Sequence, residues 1–155
     1  MKLLEYEAKE MFFNHGIPVP HGVTITEAEE MMLHLHTLGP EVVLKAQVDV
    51  GGRGKAGGIL MARQEEAVET ANRLFGATIK GVPVEKILVE ERLPIEHEYY
   101  LSITIDRASK QYLILFAETG GVDIEQTASK APDAVRKAVV NPLLTDVPPL
   151  SLIHI

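Results

Sequence analysis

Hydrophobic and polar positions change their period along the chain, and each change of period marks an element. Leu4, Ala8, Met11, Phe12 and His15 recur at helical spacing, and Gly16 followed by Pro18 closes this first helix. Pro18 and Pro20 then hold the chain extended into a short strand over residues 23–25. Thr26 with Glu29 three residues on has the form of a capping box. Behind it Ala28, Met31, Met32, Leu35 and Leu38 predict the apolar face of a second helix, closed by Gly39-Pro40.

Residues 42–48 alternate with a period of two. Val42, Leu44, Ala46 and Val48 share one face, and Val43, Lys45 and Gln47 the other. Residues 59–62 read as a returning strand. Ala67, Val68, Ala71, Leu74 and Phe75 mark a third helix that stops at Gly76. A short strand at 87–89 runs into Glu90 and Glu91. Residues 99–105 and 111–117 are β-rich runs joined by Asp106-Arg107-Ala108-Ser109-Lys110, which predicts a hairpin. Residues 131–140 fit either a short helix or a strand.

This order predicts an α+β fold, with helices packed on mixed or antiparallel sheets. Two lobes are expected: residues 1–20 with the C-terminal hairpin region, and an inserted lobe from about residue 21 to 90. The 155 residues are 46% apolar, which fits a folded chain with a real core. A net charge of −7 argues against a general binder of nucleic acid or of a membrane surface. Cysteine is absent, which excludes disulfides, thiolate zinc sites and a cysteine nucleophile. Acids stand where a signal peptide needs its apolar run, and no segment has the length to span a bilayer. A cytoplasmic location is the expectation.

The densest chemistry lies where the 42–48 strand enters Gly51-Gly52-Arg53-Gly54-Lys55-Ala56-Gly57-Gly58. A lysine inside an apolar strand needs a partner, because an unpaired buried ammonium is costly. Glycines around Arg53 and Lys55 let backbone N–H groups approach an anion closely. Lys45, Arg53 and the loop together suit a polyphosphate. Gly52-Arg53-Gly54-Lys55-Ala56-Gly57 matches G-x-G-x-x-G, but strand rather than helix follows it, so the dinucleotide fingerprint fails. A Walker A loop fails too, since Ala56 follows Lys55 where a hydroxyl is needed.

Simpler readings stand beside each assignment. Lys45 could snorkel from an edge strand or pair with an acid. The loop could be an ordinary flexible hairpin. Glu90 and Glu98 could be solvated acids. His34 and His36, two apart on a helix, do not face together and read as surface residues.

The run Lys45-Ala46-Gln47-Val48-x-x-Gly51-Gly52-Arg53-Gly54-Lys55-Ala56-Gly57-Gly58 resembles the nucleotide loop of the succinate–CoA ligase β subunits, which are ATP-grasp proteins. Five further segments agree in the same order: Glu5-Tyr6-x-Ala8-Lys9, Gly16-Ile17-Pro18-x-Pro20, Ile87-Leu88-Val89-Glu90, Asp106-Arg107-x-Ser109 and Gly120-Gly121-Val122-x-Ile124-Glu125.

The resemblance implies a partial ATP-grasp fold over residues 1–150. It implies ATP as ligand, with Lys45 on its phosphates and Gly52, Arg53 and Gly54 closing over them. Glu90 is implied at the adenine end, Leu93 in the hinge and Glu98 on the ribose. Pro20 would lie near the purine, where it offers no donor to a guanine carbonyl, so GTP is less expected. The hinge Glu91-Arg92-Leu93-Pro94 is bulkier and more charged than the family's small residues. No catalytic residue is implied here, because the family's phosphorylated histidine belongs to a partner α subunit. Asp123 and Glu125 are structural or part of that contact.

The family's magnesium-binding asparagine and aspartate, and its CoA-ligase domain, have no counterpart in this chain. The intact subunit would serve ADP-forming ligation of succinate to CoA, and this chain alone is expected to be inactive. Malate–CoA ligase and ATP-citrate lyase share the loop, and an ATP-binding module without chemistry is a further alternative. Residues 151–155 do not match the family and read as a truncated or out-of-frame tail.

Overall fold

A computed structural model describes residues 2–120, 131–141 and 143. It divides into two compact units, Met1–Leu93 and Pro94–Ile155. The expected lobes therefore redistribute: residues 1–20 group with residues 21–93 and not with the hairpin. The reason is a set of polar contacts from the first helix to the first unit's sheet. Asp123, Glu125 and the tail at 151–155 lie outside the described residues.

The first unit runs α1 (Glu5–Asn14), β1 (Gly22–Ile25), a 3-10 helix (Ala28–Leu33), α2 (Leu35–Leu38), β2 (Glu41–Ala46) and β3 (Ile59–Arg63). A second 3-10 turn (Gln64–Glu66) leads into α3 (Ala67–Phe75). It is followed by β4 (Thr78–Ile79), β5 (Val82–Pro83) and β6 (Ile87–Glu91). Four strands form one sheet in the order β1-β6-β2-β3, so β6 and β2 are central. Every described strand pairing is antiparallel.

The period-two alternation of β2 decides which face is dry. Val42, Leu44 and Ala46 are fully buried and join Ile87 and Val89 of β6 in the core. Ala67, Ala71 and Leu74 of α3, with Ala28 and Met31, cover that face. Fully burying each larger aliphatic side chain contributes about 1.5–3 kcal/mol.

The predicted second helix breaks into the 3-10 helix and α2. Its 3-10 turn buries Ala28 and Met31 but leaves Met32 71% exposed. Thr26 pairs with Glu30, not Glu29: its hydroxyl donates to the Glu30 carboxylate at 2.8 Å.

α1 caps the opposite, polar face of the sheet. The Glu7 carboxylate accepts the Leu4 N–H at 2.7 Å, which satisfies one of the unpaired donors of the first turn. Gly16, at φ +75°, lets the chain turn back so that Ile17 N–H reaches the Phe12 carbonyl at 2.9 Å. The predicted apolar stripe of this helix is not a core face, since α1 contributes no fully buried residue.

The second unit carries the predicted hairpin as β7 (Tyr100–Asp106) and β8 (Gln111–Ala117). β9 (Arg136–Val140) pairs with β8 after a 3-10 turn (Pro132–Ala134). That resolves the ambiguous 131–140 segment as a turn followed by a strand.

Candidate functional site

Between α1 and the polar face of the first sheet, β2 contributes Lys45 and β6 contributes Glu90. In the ladder Lys45 faces Leu88, and Glu90 faces Val43. Lys45 and Glu90 are therefore diagonal neighbours on one face, within reach of long side chains. The Lys45 ammonium stands 2.6 Å from one Glu90 carboxylate oxygen. It also donates to Glu5 of α1 at 3.0 Å. So Lys45 does pair with acids, as one simple reading had it, but from a central strand.

Two more cations share these carboxylates. Lys9, one helical turn after Glu5, contacts the second Glu90 oxygen and stands 3.0 Å from Glu5. Arg53, from the glycine loop, contacts the other Glu5 oxygen. Three cations thus face two carboxylates, which leaves the cluster one positive charge in surplus. Glu90 is 2% exposed, so it needs those cations. Burial pulls the Lys9 ammonium below the ordinary lysine value, against the hydrogen bond to Glu90 that raises it. Burial lowers Arg53 as well, opposed by the charge of Glu90.

Neighbouring residues fix the cluster. Gln47 accepts the Tyr6 N–H at 3.2 Å and returns its own amide to the Lys45 carbonyl at 2.9 Å, which ties α1 to β2. Lys86 donates to the Tyr6 hydroxyl at 3.0 Å, and that contact raises its pKa above the ordinary lysine value. Gly22 of β1 lies against Glu90. A Cβ there would stand 2.8 Å from Glu90 Cγ and 2.8 Å from the Val89 carbonyl, so only glycine fits.

The glycine loop is a compact turn and not a slack hairpin. The N–H groups of Ala56, Gly57 and Gly58 bond back to Arg53 or Gly54 carbonyls. Among the described residues, those of Gly52, Arg53 and Gly54 have no backbone acceptor. The neighbouring Gly51 and Lys55 N–H groups likewise have no backbone acceptor among the described residues, so the donors open to an anion run from residue 51 to 55 and include the three positions that the resemblance implies for phosphate. Lys80, at the positive-φ turn between β4 and β5, donates to the Gly51 carbonyl at 2.6 Å and braces the loop from outside. Lys55 is exposed and joins no ion pair among the described residues.

Beside the cluster lies a cavity of about 450 Å³, whose lining includes Lys9, Glu90, Glu91, Pro20, His21 and Gly22. Its volume is in the range of small-molecule sites. Pro20 and Glu90 thus border one cavity. The Glu90 side chain, however, turns to Lys45 and Lys9, and its backbone lies in both neighbouring ladders. Leu93 is exposed at the end of the first unit. Glu98 is exposed in the second unit.

Lys45, Gly52, Arg53, Gly54 and Glu90 are brought together. Glu5 and Lys9 were not singled out by the sequence as site residues, although their i,i+4 spacing within Glu5-Tyr6-x-Ala8-Lys9 put both on one helix face. Among the described residues, no group of three or more His, Asp or Glu could hold a metal ion. No helix among them is long and apolar enough to cross a membrane.

The family model of the ATP-grasp domain matches residues 2–149. The ADP-forming succinate–CoA ligase subunit beta of Methanocaldococcus jannaschii is 55% identical over 138 residues, which are 88% of this chain and 37% of that protein. The same subunit of Pyrobaculum arsenaticum is 49% identical over 143 residues, 92% of this chain and 37% of that protein. The chain thus spans little more than a third of the length of these curated relatives. A solved acetyl-coenzyme A synthetase of Ca. Korarchaeum cryptofilum, in complex with coenzyme A, Ca-AMPCP and HgCl+, superposes with a TM-score of 0.72 at 29% identity. That match covers 92% of this chain and 61% of the other.

Proposed function

The chain belongs to the ATP-grasp domain family, and from that membership we propose that it is the nucleotide-binding portion of the β subunit of an ADP-forming succinate–CoA ligase. The intact enzyme converts ATP, succinate and CoA into succinyl-CoA, ADP and phosphate through a phosphohistidine on a partner α subunit. One observation above all supports the nucleotide reading. Lys45 and Arg53 converge on one carboxylate beside a loop that leaves the Gly52, Arg53 and Gly54 N–H groups available. Lysine supplies a point charge, arginine a planar fork, and the loop directed backbone donors, a combination suited to phosphate oxygens.

In this reading the triphosphate lies along Lys45, Arg53 and the loop, and the purine enters the cavity that Pro20 and Glu90 border. The resemblance implies Leu93 for the hinge and Glu98 for the ribose. Proline at position 20 offers the base no donor, which favours ATP over GTP. Magnesium is held by residues outside this chain, whose own part is to bind and orient the nucleotide. Succinate as the acid rests on the two curated relatives, and the cytoplasm is the compartment such an enzyme implies.

Calorimetric titration of the chain, shown folded by circular dichroism, with ATP and then GTP tests the assignment. ATP is expected to saturate a single site and GTP to bind more weakly. No binding of either nucleotide contradicts it.

A further inference from the structure

Glu5 holds the centre of the cation cluster and has no role in the nucleotide assignment. Its Oε1 stands 3.0 Å from both Lys9 and Lys45, and its Oε2 contacts Arg53. Lys45 is fixed by a central strand, whereas Arg53 rides on a loop with positive-φ glycines at 52 and 57. Without Glu5, three cations would share only Glu90, and mutual repulsion would drive the loop cation outward. α1 is well placed to supply that tie. Gln47 and Lys86 dock its first turn on the sheet, which sets the height of Glu5 above β2.

We propose that Glu5 is the positioning residue that ties Arg53 of the glycine loop to Lys45 of β2, presetting the two cations for one polyphosphate. The proposal rests on the nucleotide reading. In it Glu5 touches no substrate: it acts through Lys45 and Arg53, holding the loop folded over β2 before the ligand arrives. Part of the ordering cost of binding is then met in the free protein.

The experiment compares Glu5→Gln with the unaltered chain by calorimetric titration with ATP and with adenosine, and follows hydrogen exchange across residues 51–57. The amide keeps the shape of the carboxylate and removes its charge. The expected result is ATP affinity lowered about tenfold, adenosine affinity unchanged, and faster exchange in the loop. Three results overturn the inference while leaving the nucleotide reading intact: unchanged ATP affinity, tighter ATP binding, or equal losses for ATP and adenosine. Tighter binding would make Glu5 a competitor of phosphate, and equal losses would make its role merely structural. If the unaltered chain binds no ATP, the nucleotide reading itself fails and the inference falls with it.

Discussion

Lys45 and Glu90, on adjacent antiparallel strands, form a diagonal ion pair with 2.6 Å between ammonium and carboxylate. The pair lies on the face of the sheet that the apolar core does not use. It explains how an apolar strand carries a lysine, and why the apolar run Ile87-Leu88-Val89 of β6 is followed by a buried acid at position 90. Each charge is tolerable because the other is there.

Removing one partner is therefore costly. Glu90→Gln leaves the ammonium groups of Lys9 and Lys45 facing a neutral amide, with side chains only 20% and 19% exposed. The loss expected is on the order of 3 kcal/mol, read as a lower urea midpoint for the variant. A change within experimental error would mean that water already solvates those lysines.

Gly58 closes the glycine loop. It donates to the Arg53 carbonyl at 2.8 Å, and its own carbonyl accepts the Ala46 N–H at 2.8 Å. A Cβ there would stand 3.1 Å from the Arg53 carbonyl and 3.3 Å from Arg53 Cβ, so the loop must shift to admit it. Gly58→Ala is expected to weaken ATP binding about fivefold, equivalent to about 1 kcal/mol of mild overpacking. Unchanged affinity would show that the loop conformation does not matter to the ligand.

Acid should loosen the β7–β8 turn. Asp106 accepts the Ser109 hydroxyl at 2.7 Å and the Ala108 N–H at 3.0 Å, and these bonds hold its pKa below the ordinary value of 3.8. Because the folded pKa is depressed, the carboxylate stabilises the turn fully above about pH 3.8 and loses that contribution as pH falls through the lowered value. A carboxyl chemical-shift titration should give a midpoint under 3.8 for Asp106, with the Ala108 amide shift moving in parallel. A midpoint at or above that value contradicts the assignment.

Local periodicity made much of the fold legible. The alternation of Val42, Leu44 and Ala46 against Val43 and Lys45 placed both faces of β2, and the helical spacing of Ala67, Ala71 and Leu74 placed α3. The hairpin at 106–110 followed from its turn residues. Less legible were elements that tertiary contacts decide. β4 and β5 have two residues each, too few for a period, and were missed despite the Lys80-Gly81 turn between them. The segment 28–38 has a continuous helical pattern but breaks into a 3-10 helix over residues 28–33, with Met32 in solvent, and the short α2.

The site shows the same division. Lys45 stood out because a charge is costly in an apolar strand, and Arg53 with the loop glycines because cations among glycines suit an anion. Glu90 is implied at the adenine end, and only strand register reveals that its carboxylate meets Lys45. Glu5 and Lys9 gain their role only once α1 lies across the polar face of the sheet, which brings them to Lys45 and Glu90.

The most direct test of the central claim is the ATP affinity of Lys45→Ala beside that of the unaltered chain, both measured by calorimetry on folded protein. Loss of a charge-assisted phosphate contact should weaken binding at least about tenfold, with adenosine affinity unaffected. Equal ATP affinity in the two proteins would contradict the account, because the mid-strand ammonium would then have no part in holding a nucleotide.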